Sequence, residues 1–400
     1  MNLLFVEGGS RCWADTEGNI YVASNFDRAV QERYKKFCDK FILLQRTDGR
    51  AYPFSELPRG LHLADRNITE VITVPDLYRP RSNFFSFGIR REIARVISEA
   101  IQKADKVIIR VGVNYYTTTA EKLCRKYHKP YLIEAVEFVF EANWYYGIEG
   151  KIIAPFSELK ARRMIRRAPY VLYVSQHVQQ ERYPSLGKTL GCSDVELENL
   201  DNCVLEYRIK HIRGGAKKLA IGTAAFLDTQ IKGHEYVIRA LHELKVKGIT
   251  NIEYRLLGSG SPGNLIRLAE SLDVAGQLKV CGVLPHDEIF SWYDDLDVYI
   301  QPSRTETLGR SVVEAMSRGL PAACSRVGGM AEYASKDIMF TAGNVKEISR
   351  VIESLIAPAV REREARNSFR IAHEFSKEKL DAIRDEFYSE FTGVTIMRGR

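Results

Sequence analysis

The sequence lacks any apolar run long enough to cross a bilayer, and its first residues lack the charged start, apolar core and cleavage site of a signal peptide. It also lacks a Cys-x-x-Cys pair and any histidine-rich tract near a cysteine. Its seven cysteines are scattered, which indicates isolated thiols in a reducing cytosol rather than a metal cluster. No internal repeat or long low-complexity tract is present. We therefore predict a cytoplasmic protein.

The composition favours two globular domains. The chain has 400 residues, of which 45% are hydrophobic and 27% charged, enough for two separate cores. Apolar runs alternate with segments of helical periodicity, which is typical of α/β domains with parallel sheets. A polar segment, 206–218, contains a glycine pair, and we place the domain boundary between residues 207 and 208. The predicted strands are 3–6, 41–44, 71–74, 107–111, 131–135, 171–174, 219–225, 253–257, 278–281, 297–300, 322–324 and 339–340.

Basic residues are concentrated in one predicted helical stretch. The net charge of +7 is modest, but five cations fall close together directly after several apolar side chains. Such a stretch can rest on the anionic headgroups of a membrane, or it can be a solvated helix face that carries salt bridges. No nucleic-acid-binding motif accompanies it, so nucleic acid is not a predicted partner. The five cations are Lys160, Arg162, Arg163, Arg166 and Arg167.

The segment 301–333 predicts an anion site flanked by two carboxylates. An apolar run at 296–300 is typical of a buried parallel strand, and Gly309 then opens a predicted helix over 311–318. Backbone amides at a helix N-terminus bind phosphate. Glu306 precedes this turn and Glu314 follows about two turns later, roughly 10–12 Å along the axis. The alternative is that both glutamates are ordinary exposed acids.

The same segment resembles the signature of the retaining glycosyltransferases of the GT-B fold, family four. That signature has a Pro-Ser, a first Glu, a Gly, a second Glu before Ala-Met, a Gly-x-Pro and a Gly-Gly-x-x-Glu. Many fixed offsets within one strand–helix–strand segment agree with it. The matching residues are Pro302-Ser303, Glu306, Gly309, Glu314-Ala315-Met316, Gly319-Leu320-Pro321 and Gly328-Gly329-Met330-Ala331-Glu332.

The resemblance implies an α/β protein of two Rossmann-like, doubly wound domains that face an interdomain cleft. Residues 1–207 would form the acceptor-side domain, and residues 208–375 would bind the nucleotide sugar. Residues 376–400 would form a last helix that crosses back to the first domain. A simple terminal helix is the alternative for this last segment.

The resemblance also implies the substrate and the residues that bind it. The donor would be a nucleotide-diphosphate sugar, UDP- or GDP-linked, with no cofactor and no bound metal. Its diphosphate is expected over the helix amides, with Glu306 on the sugar and Glu314 on the ribose. The expected donor contacts are Arg304, Thr307, Leu308, Gly309, Arg310 and Glu314.

Lys232, followed by Gly233, matches the lysine that neutralises the donor diphosphate in the resembling family. That family usually has an arginine five residues earlier, where this chain has Leu227. The departure leaves the second phosphate contact unassigned. Arg304 and Arg310 are candidates to replace it, and either is equally consistent with a surface residue.

Two further motifs lie in the second half. A Gly-x-Gly-x-x-Gly begins at Gly258 and Gly260, after a strand and before a helix, but the acid that a dinucleotide site requires at the end of the next strand is absent. The resemblance places these glycines beside the nucleotide, and a plain tight turn is the alternative. The acids Asp294, Asp295 and Asp297 stand at a helix end, where capping and solvation explain them better than a metal does.

In the first half, Gly8 and Gly9 follow the first predicted strand, where the resemblance favours contact with the donor phosphates or the acceptor over a simple turn. Many relatives place a sugar-contacting histidine near the position of Val136, and this chain has none there. Glu134 and Glu137 are nearby carboxylates that stabilise a cationic sugar ring or cap the next helix. We select Glu137.

The resemblance implies transfer of a hexose, with retention, to a glycan or lipid-linked acceptor in bacterial surface polysaccharide synthesis, and we predict that this takes place on the inner face of the cytoplasmic membrane. Segments 13–21 and 175–193 resemble bacterial capsule and exopolysaccharide transferases more loosely. The predicted catalytic residues are Glu306, Lys232 and Glu137. A catalytically silent, glycosyltransferase-like binding subunit and a GT-B sugar-nucleotide epimerase are the alternatives.

Overall fold

The computed structural model describes residues 1–23, 26–58, 60–145, 147–198, 200–215 and 218–396, without the side chains of His286 and Asp287. The chain divides into two compact units. The first contains Met1–Val174, Gln180–Cys192 and Ala382–Arg400, and the second contains Ser175–Gln179 and Ser193–Asp381. No helix within these described residues is both long and apolar enough to span a membrane.

The first unit is built on a parallel sheet with the strand order β6-β3-β1-β7-β8-β9-β10. The second half of β1 leaves this sheet and pairs antiparallel with β2, which pairs with β5. The apolar runs of the central strands are fully buried, as expected for strands covered on both faces. The strands are β1 (Asn2–Asp15), β2 (Ile20–Val22), β3 (Lys40–Thr47), β4 (Ala51–Tyr52), β5 (His62–Leu63), β6 (Thr69–Pro75), β7 (Lys106–Val111), β8 (Tyr131–Ala135), β9 (Tyr170–Tyr173) and β10 (Lys188–Gly191).

Helices connect the parallel strands of the first unit, and side-chain caps fix where several of them begin. Asp27, Ser86 and Asn114 each accept a backbone N–H in the first turn of α1, α2 and α3 respectively. The helices are α1 (Arg28–Lys35), α2 (Phe87–Lys103), α3 (Tyr115–Lys126), α4 (Val139–Trp144), α5 (Gly147–Arg167) and α6 (Val178–Arg182), which begins in the second unit.

The second unit has a parallel sheet with the order β13-β12-β11-β14-β15-β16. The strands are β11 (Leu219–Ala224), β12 (Ile252–Leu257), β13 (Leu278–Gly282), β14 (Val298–Gln301), β15 (Ala322–Ser325) and β16 (Met339–Phe340). The helices are α7 (Asn202–Gly214), α8 (His234–Val246), α9 (Gly263–Ser271), α10 (His286–Asp294), α11 (Arg310–Ser317), α12 (Met330–Tyr333), α13 (Val345–Ser354) and α14 (Pro358–Ala372). One face of the sheet packs with α8, α9 and α13 into a continuous apolar core.

The last helix, α15 (Lys377–Thr392), joins the first unit from Ala382 onward. Its Tyr388 hydroxyl donates to the buried Glu134 carboxylate, and the Tyr170 ring packs against Phe387. This agrees with the expected return of the final helix to the first domain. Residues 397–400, which end the predicted tail, lie outside the described residues.

Every predicted strand overlaps an observed strand of a parallel sheet. The prediction missed β2, β4, β5 and β10, which are only two to four residues long. It also ended the first strand too early, because β1 continues through Gly8 and Gly9 to Asp15. The register against β3 shifts between Val6 and Arg11, so the strand bends there instead of ending in a turn.

The units divide at a different place from the predicted boundary at residue 207. The second unit begins its main segment, Ser193–Asp381, before this boundary, because α7 packs against α14. Arg208 of α7 is fully buried, and its guanidinium donates to the carbonyls of Tyr293, Leu296 and Arg318. These bonds satisfy a cation that would be costly to bury without partners.

Candidate active site

Lys232 and Glu306 lie in direct contact in the second unit. Lys232 ends a 3₁₀ turn, Gln230–Lys232, after β11, and Glu306 lies in the loop after β14. The Lys232 Nζ is 2.5 Å from Glu306 Oε1. Both side chains are mostly shielded, with 22% and 15% of their surface exposed. The two predicted catalytic residues of this unit therefore meet at the carboxyl ends of neighbouring strands, where ligands bind in open α/β sheets.

Gly233 allows this contact. It has a left-handed backbone with φ of +67°, and a Cβ at this position would lie 2.2 Å from the Pro302 carbonyl oxygen. Any other residue would push the Lys232 turn away from the loop after β14.

A chain of buried polar groups orients the Glu306 carboxylate. The Ser303 hydroxyl donates to Glu306 Oε1 (2.9 Å), Gln301 Nε2 donates to the Ser303 hydroxyl (2.8 Å), and the Tyr299 hydroxyl donates to Gln301 Oε1 (2.7 Å). Because Lys232 also uses Oε1, Glu306 Oε2 has no protein partner among the described residues. One oxygen is fixed and the other is available to a ligand.

The turn before α11 presents backbone donors. Gly309 caps the helix with a left-handed φ of +86°, and a Cβ there would lie 2.7 Å from Met330 Cγ. The carbonyls of this turn are used internally: that of Thr307 accepts the Gly329 N–H, and those of Leu308 and Gly309 accept the Tyr333 hydroxyl. In the described part of the chain, the N–H groups of Leu308, Gly309 and Arg310 have no acceptor. Free amides at a helix start suit an anion.

Glu314 lies on the second turn of the same helix, and its Oε2 accepts the Tyr293 hydroxyl at 3.1 Å. Tyr293 is buried, and burial together with the nearby Glu314 charge raises its pKa well above the usual value. The tyrosine therefore remains a hydrogen-bond donor and holds the half-buried carboxylate in place.

Leu227 stands where the resembling family usually has an arginine, and its surroundings in the structure are apolar. Leu227 belongs to the buried core, and its N–H donates to the Ser259 carbonyl. Arg304 lies against the Lys232 turn: its N–H donates to Ile231, and its guanidinium donates to Glu235 Oε1 (3.1 Å). Arg310 is 64% exposed and 3.8 Å from Asp194. Arg304 is therefore the better-placed of the two candidate replacements.

Gly258 and Gly260 are required by packing. Their φ values are +148° and +103°, and a Cβ would lie 2.0 Å from the Ala225 carbonyl oxygen or 2.6 Å from Asp228 Oδ1, respectively. This loop therefore lies against the loop after β11. A close backbone approach accounts for both glycines, and their assignment to the nucleotide remains a prediction.

The aspartates beside β14 have structural roles. Asp294 accepts two bonds from Arg318 (2.8 and 2.6 Å), and the buried Asp297 accepts the Ala220 N–H and contacts His211 Nε2 at 3.1 Å. These contacts hold other parts of the unit in place, which goes beyond the capping and solvation that the sequence predicted. Among the described residues, no group of three His, Cys, Asp or Glu side chains is placed to hold a metal.

Two residues with clear structural roles were not assigned from sequence. The Glu332 carboxylate, the last acid of the motif, accepts the N–H groups of Gln176, His177 and Val178 at 2.6 to 2.9 Å. The buried His234 ring lies between the Tyr254 hydroxyl and a backbone carbonyl, and burial lowers its pKa to about 4. The Gly-Gly-x-x-Glu spacing was the only sequence signal for the first.

In the first unit, Gly8 and Gly9 are strand residues rather than a loop that receives a ligand. A Cβ on Gly8 would lie 2.0 Å from Asn114 Oδ1, and the Gly9 carbonyl accepts a bond from Arg46 Nη2. Packing against the N-terminus of α3 thus explains Gly8. Contact of either glycine with donor or acceptor remains a prediction.

The two candidate carboxylates, Glu134 in β8 and Glu137 after it, have different surroundings. Glu134 is buried and accepts bonds from Tyr34 and Arg110, both at 2.9 Å, as well as from Tyr388. Glu137 lies beyond the strand, over Gly112, whose added Cβ would be 2.9 Å from Glu137 Oε1. Burial and the charge of Glu7 raise the pKa of Glu137 to about 7. Glu134 has a structural role, whereas Glu137 is suited to holding a proton near neutral pH.

The geometry places a lysine, an oriented carboxylate and free helix amides together in the second unit. Residues 209–371 match the family described as glycosyl transferases group 1. This segment is a group 1 glycosyltransferase domain. It contains Lys232, Glu306, Gly309 and Glu314. The glycosyltransferase family that the motif predicted is therefore confirmed as group 1.

Sequence similarity to known proteins extends beyond this domain. Protein CapJ of Staphylococcus aureus is 26% identical over 92% of this chain and 90% of its own length. The putative colanic acid biosynthesis glycosyltransferase WcaL of Salmonella typhimurium is 26% identical over 43% of this chain and 48% of its own length.

Solved structures confirm the GT-B fold. Anabaena Alr3699/HepE, in complex with UDP and glucose, superposes with a TM-score of 0.67 at 18% identity and covers 98% of this chain and 100% of its own. Sucrose-phosphate synthase of Thermosynechococcus elongatus gives a TM-score of 0.69 at 14% identity, covering 98% and 99%.

Proposed function

We propose that this protein transfers a hexose from a nucleotide-diphosphate sugar to a glycan or lipid-linked acceptor in the synthesis of a bacterial surface polysaccharide. The Lys232–Glu306 ion pair beside the free amides of α11 is the observation that carries the proposal. A lysine, a carboxylate and a helix N-terminus at one sheet edge supply what a sugar diphosphate requires. The similarity to CapJ and WcaL supports the polysaccharide assignment.

Donor binding begins with an exchange of partners. The diphosphate replaces the Glu306 carboxylate as the anion beside Lys232 Nζ and accepts the N–H groups of Leu308, Gly309 and Arg310. The positive end of the α11 dipole favours the same position. Arg304, from the loop that carries Glu306, supplies the second cation in place of the arginine that Leu227 replaces.

Two oriented carboxylates then bind the two ends of the donor, the sugar and the ribose. Glu306, held through Oε1, turns its free Oε2 toward a sugar hydroxyl. Glu314, held by the Tyr293 hydroxyl, accepts from the ribose. The complexes of Alr3699/HepE with UDP and with UDP-glucose support a uridine nucleotide as the first donor to test, with GDP-linked sugars as the second.

The chemistry is electrostatic. As the bond to the anomeric carbon breaks, negative charge grows on the departing diphosphate, where Lys232 and the α11 amides stabilise it. The sugar acquires cationic character, which the Glu306 carboxylate opposes. The acceptor hydroxyl oxygen forms the new bond to the anomeric carbon and must lose its proton. We assign Glu137 of the first unit as the carboxylate that takes up this proton, with retention at the anomeric carbon and no bound metal.

An assay with a panel of radiolabelled UDP- and GDP-sugars tests the function, with and without bacterial membrane extract as the acceptor source. Transfer or slow hydrolysis of one donor by the wild type, lost in Lys232→Ala, supports the proposal. Lys245→Ala is the matched control, because Lys245 belongs to the same unit and pairs with the exposed Asp273. Binding without turnover identifies a silent subunit, and acceptor-free interconversion of sugars identifies an epimerase.

We place this reaction at the inner face of the cytoplasmic membrane, with the protein bound peripherally. The support is the surface of α5, where all five predicted cations lie and several apolar side chains are exposed.

A further inference from the structure

A groove runs between α3 and α5 of the first unit, with a volume of about 480 Å³. Lys122 and Arg125 line it from α3, and Lys160, Arg163 and Arg167 line it from α5. These positions repeat at three, four or seven residues, so each helix turns one basic stripe toward the other. Five cations therefore line one groove.

The charge in this groove is largely uncompensated. Within the described part of the chain, Lys122, Lys160, Arg163 and Arg167 form no ion pair. Glu121 is the one carboxylate among the residues that line the groove, and it contacts Arg125 at 3.4 Å. Burial and the charge of Lys122 lower the pKa of Lys160. An anion in the groove would relieve this repulsion.

Apolar side chains stand beside the charge. Phe156 and Leu159 line the same groove and are 71% and 53% exposed. Ile148, Ile152 and Ile153 continue the exposed apolar surface toward the N-terminus of α5, at 80%, 64% and 50%. Five large apolar side chains exposed along one helix indicate that this surface contacts a partner.

The two kinds of side chain are separated along the helix. α3 and α5 connect the parallel strands β7, β8 and β9, so they run in the same direction. Phe156 and Leu159 therefore lie toward one end of the groove, and Arg125 and Arg167 toward the other. An apolar half followed by a basic half matches the boundary between acyl chains and phosphate headgroups.

We propose that this groove binds the phosphate headgroup of an anionic phospholipid, while the apolar side chains of the N-terminal half of α5 enter the acyl region. The inference rests on the peripheral association proposed above and adds a defined headgroup site to it. The headgroup site assigns Lys122 and Arg125 of α3 to membrane binding. It also assigns different roles to the cations of α5, because Arg163 and Arg167 line the groove whereas Arg162 and Arg166 do not.

The test is cosedimentation of the full-length protein with vesicles of phosphatidylcholine, with and without 30% phosphatidylglycerol (roughly, to match an anionic leaflet). Each cation at an anionic surface contributes roughly a fivefold factor in binding. Arg163→Ala/Arg167→Ala should therefore bind about 25-fold more weakly, and Lys122→Ala about fivefold more weakly. Arg162→Ala/Arg166→Ala removes the same charge from the same helix and should lose less than about fivefold.

Nucleoside diphosphate affinity, measured on each variant, serves as the check that the protein is folded. Equal losses in the two double variants would contradict the headgroup site and leave only diffuse attraction to the membrane. Absence of vesicle binding in a wild type that binds its donor would overturn this inference without touching the proposed transferase reaction. Full competition by millimolar inorganic phosphate would assign the groove to a soluble anion instead. A wild-type dimer that Phe156→Ser dissociates, with vesicle binding unchanged, would assign the apolar surface to a second copy.

Discussion

Lys232 and Glu306, the cation assigned to the donor phosphates and the carboxylate assigned to the donor sugar, are bonded to each other at 2.5 Å. The two opposite charges of the site thus neutralise each other. A donor must separate the pair, and both groups then gain new partners in the ligand. The Glu306 carboxylate therefore competes with the diphosphate for Lys232 during binding, whereas catalysis requires the same carboxylate beside the sugar.

Glu306→Gln should affect nucleotide binding and turnover in opposite directions. The neutral amide competes less for Lys232 and does not repel the diphosphate, so free UDP or GDP should bind about fivefold more tightly, on the order of 1 kcal/mol for a partly exposed pair. Turnover should fall on the order of 100-fold, because the carboxylate no longer opposes the cationic sugar. Calorimetry and initial rates measure the two effects. Weaker nucleotide binding in this variant would contradict the exchange of partners.

Lys232→Ala should lower both affinity and rate, since the lysine acts on the bound and the departing diphosphate. A loss in kcat on the order of 100- to 1,000-fold is typical for removal of one group that stabilises developing charge. Lys245→Ala, at an exposed pair with Asp273, should remain near wild type. Unchanged turnover in Lys232→Ala would remove the lysine from the mechanism.

Gly309→Ala tests the turn that presents the amides. The left-handed φ of +86° costs an alanine about 1–2 kcal/mol, and the added Cβ would also press on Met330. We expect a comparable loss in the free energy of unfolding and weaker nucleotide binding. Gly276→Ala is the control, because its Cβ meets nothing within 4 Å and its φ is not positive. Equal effects at both positions would show that the turn is not strained.

Glu137→Gln tests the raised pKa, about 7, of this carboxyl group. Because the folded pKa lies above the unfolded one, the group favours folding fully at low pH, and that contribution is lost as pH rises from about 4.5 to 7. The free energy of unfolding of the variant, relative to that of the wild type, should therefore rise over this range by about 3 kcal/mol. Urea unfolding at pH 4.5 and pH 8 measures it. Glu149→Gln, at the exposed start of α5, is the control, and a pH-independent difference at Glu137 would contradict the shift.

Glu332→Ala should release the segment that Glu332 holds. Its carboxylate accepts three backbone N–H groups, of Gln176, His177 and Val178, and leaving such donors unpaired costs about 1–3 kcal/mol. Faster hydrogen exchange at these three amides is the expected result. Glu353→Ala, which breaks an exposed pair with Lys247, should leave their exchange unchanged. Unaltered protection in Glu332→Ala would show that other contacts hold the segment.

The sequence was most informative where structure is local. Apart from β2, β4, β5 and β10, the strands of both sheets were predicted because their apolar runs are short, buried and bounded by polar residues. The α11 turn was predicted because Gly309, Glu306 and Glu314 stand at fixed offsets within one strand–turn–helix segment. For this part of the site, chain order and spatial order coincide.

Features that depend on distant residues could not be predicted in this way. Gly8 is explained by Asn114, and Glu332 by the N–H groups at 176–178, both far away in sequence. The division of the units depends on Arg208, whose three carbonyl partners come from residues 293–318. No local pattern encodes such contacts.

Calorimetric titration of the wild type and of Lys232→Ala with UDP, GDP and ADP tests the diphosphate site directly. We expect that at least one of these nucleotides binds the wild type and that the substitution weakens binding of the same nucleotide at least about tenfold, the loss expected for a hydrogen bond to a charged group. Absence of heat with all three nucleotides, or equal affinity in both proteins, would contradict a diphosphate site at Lys232.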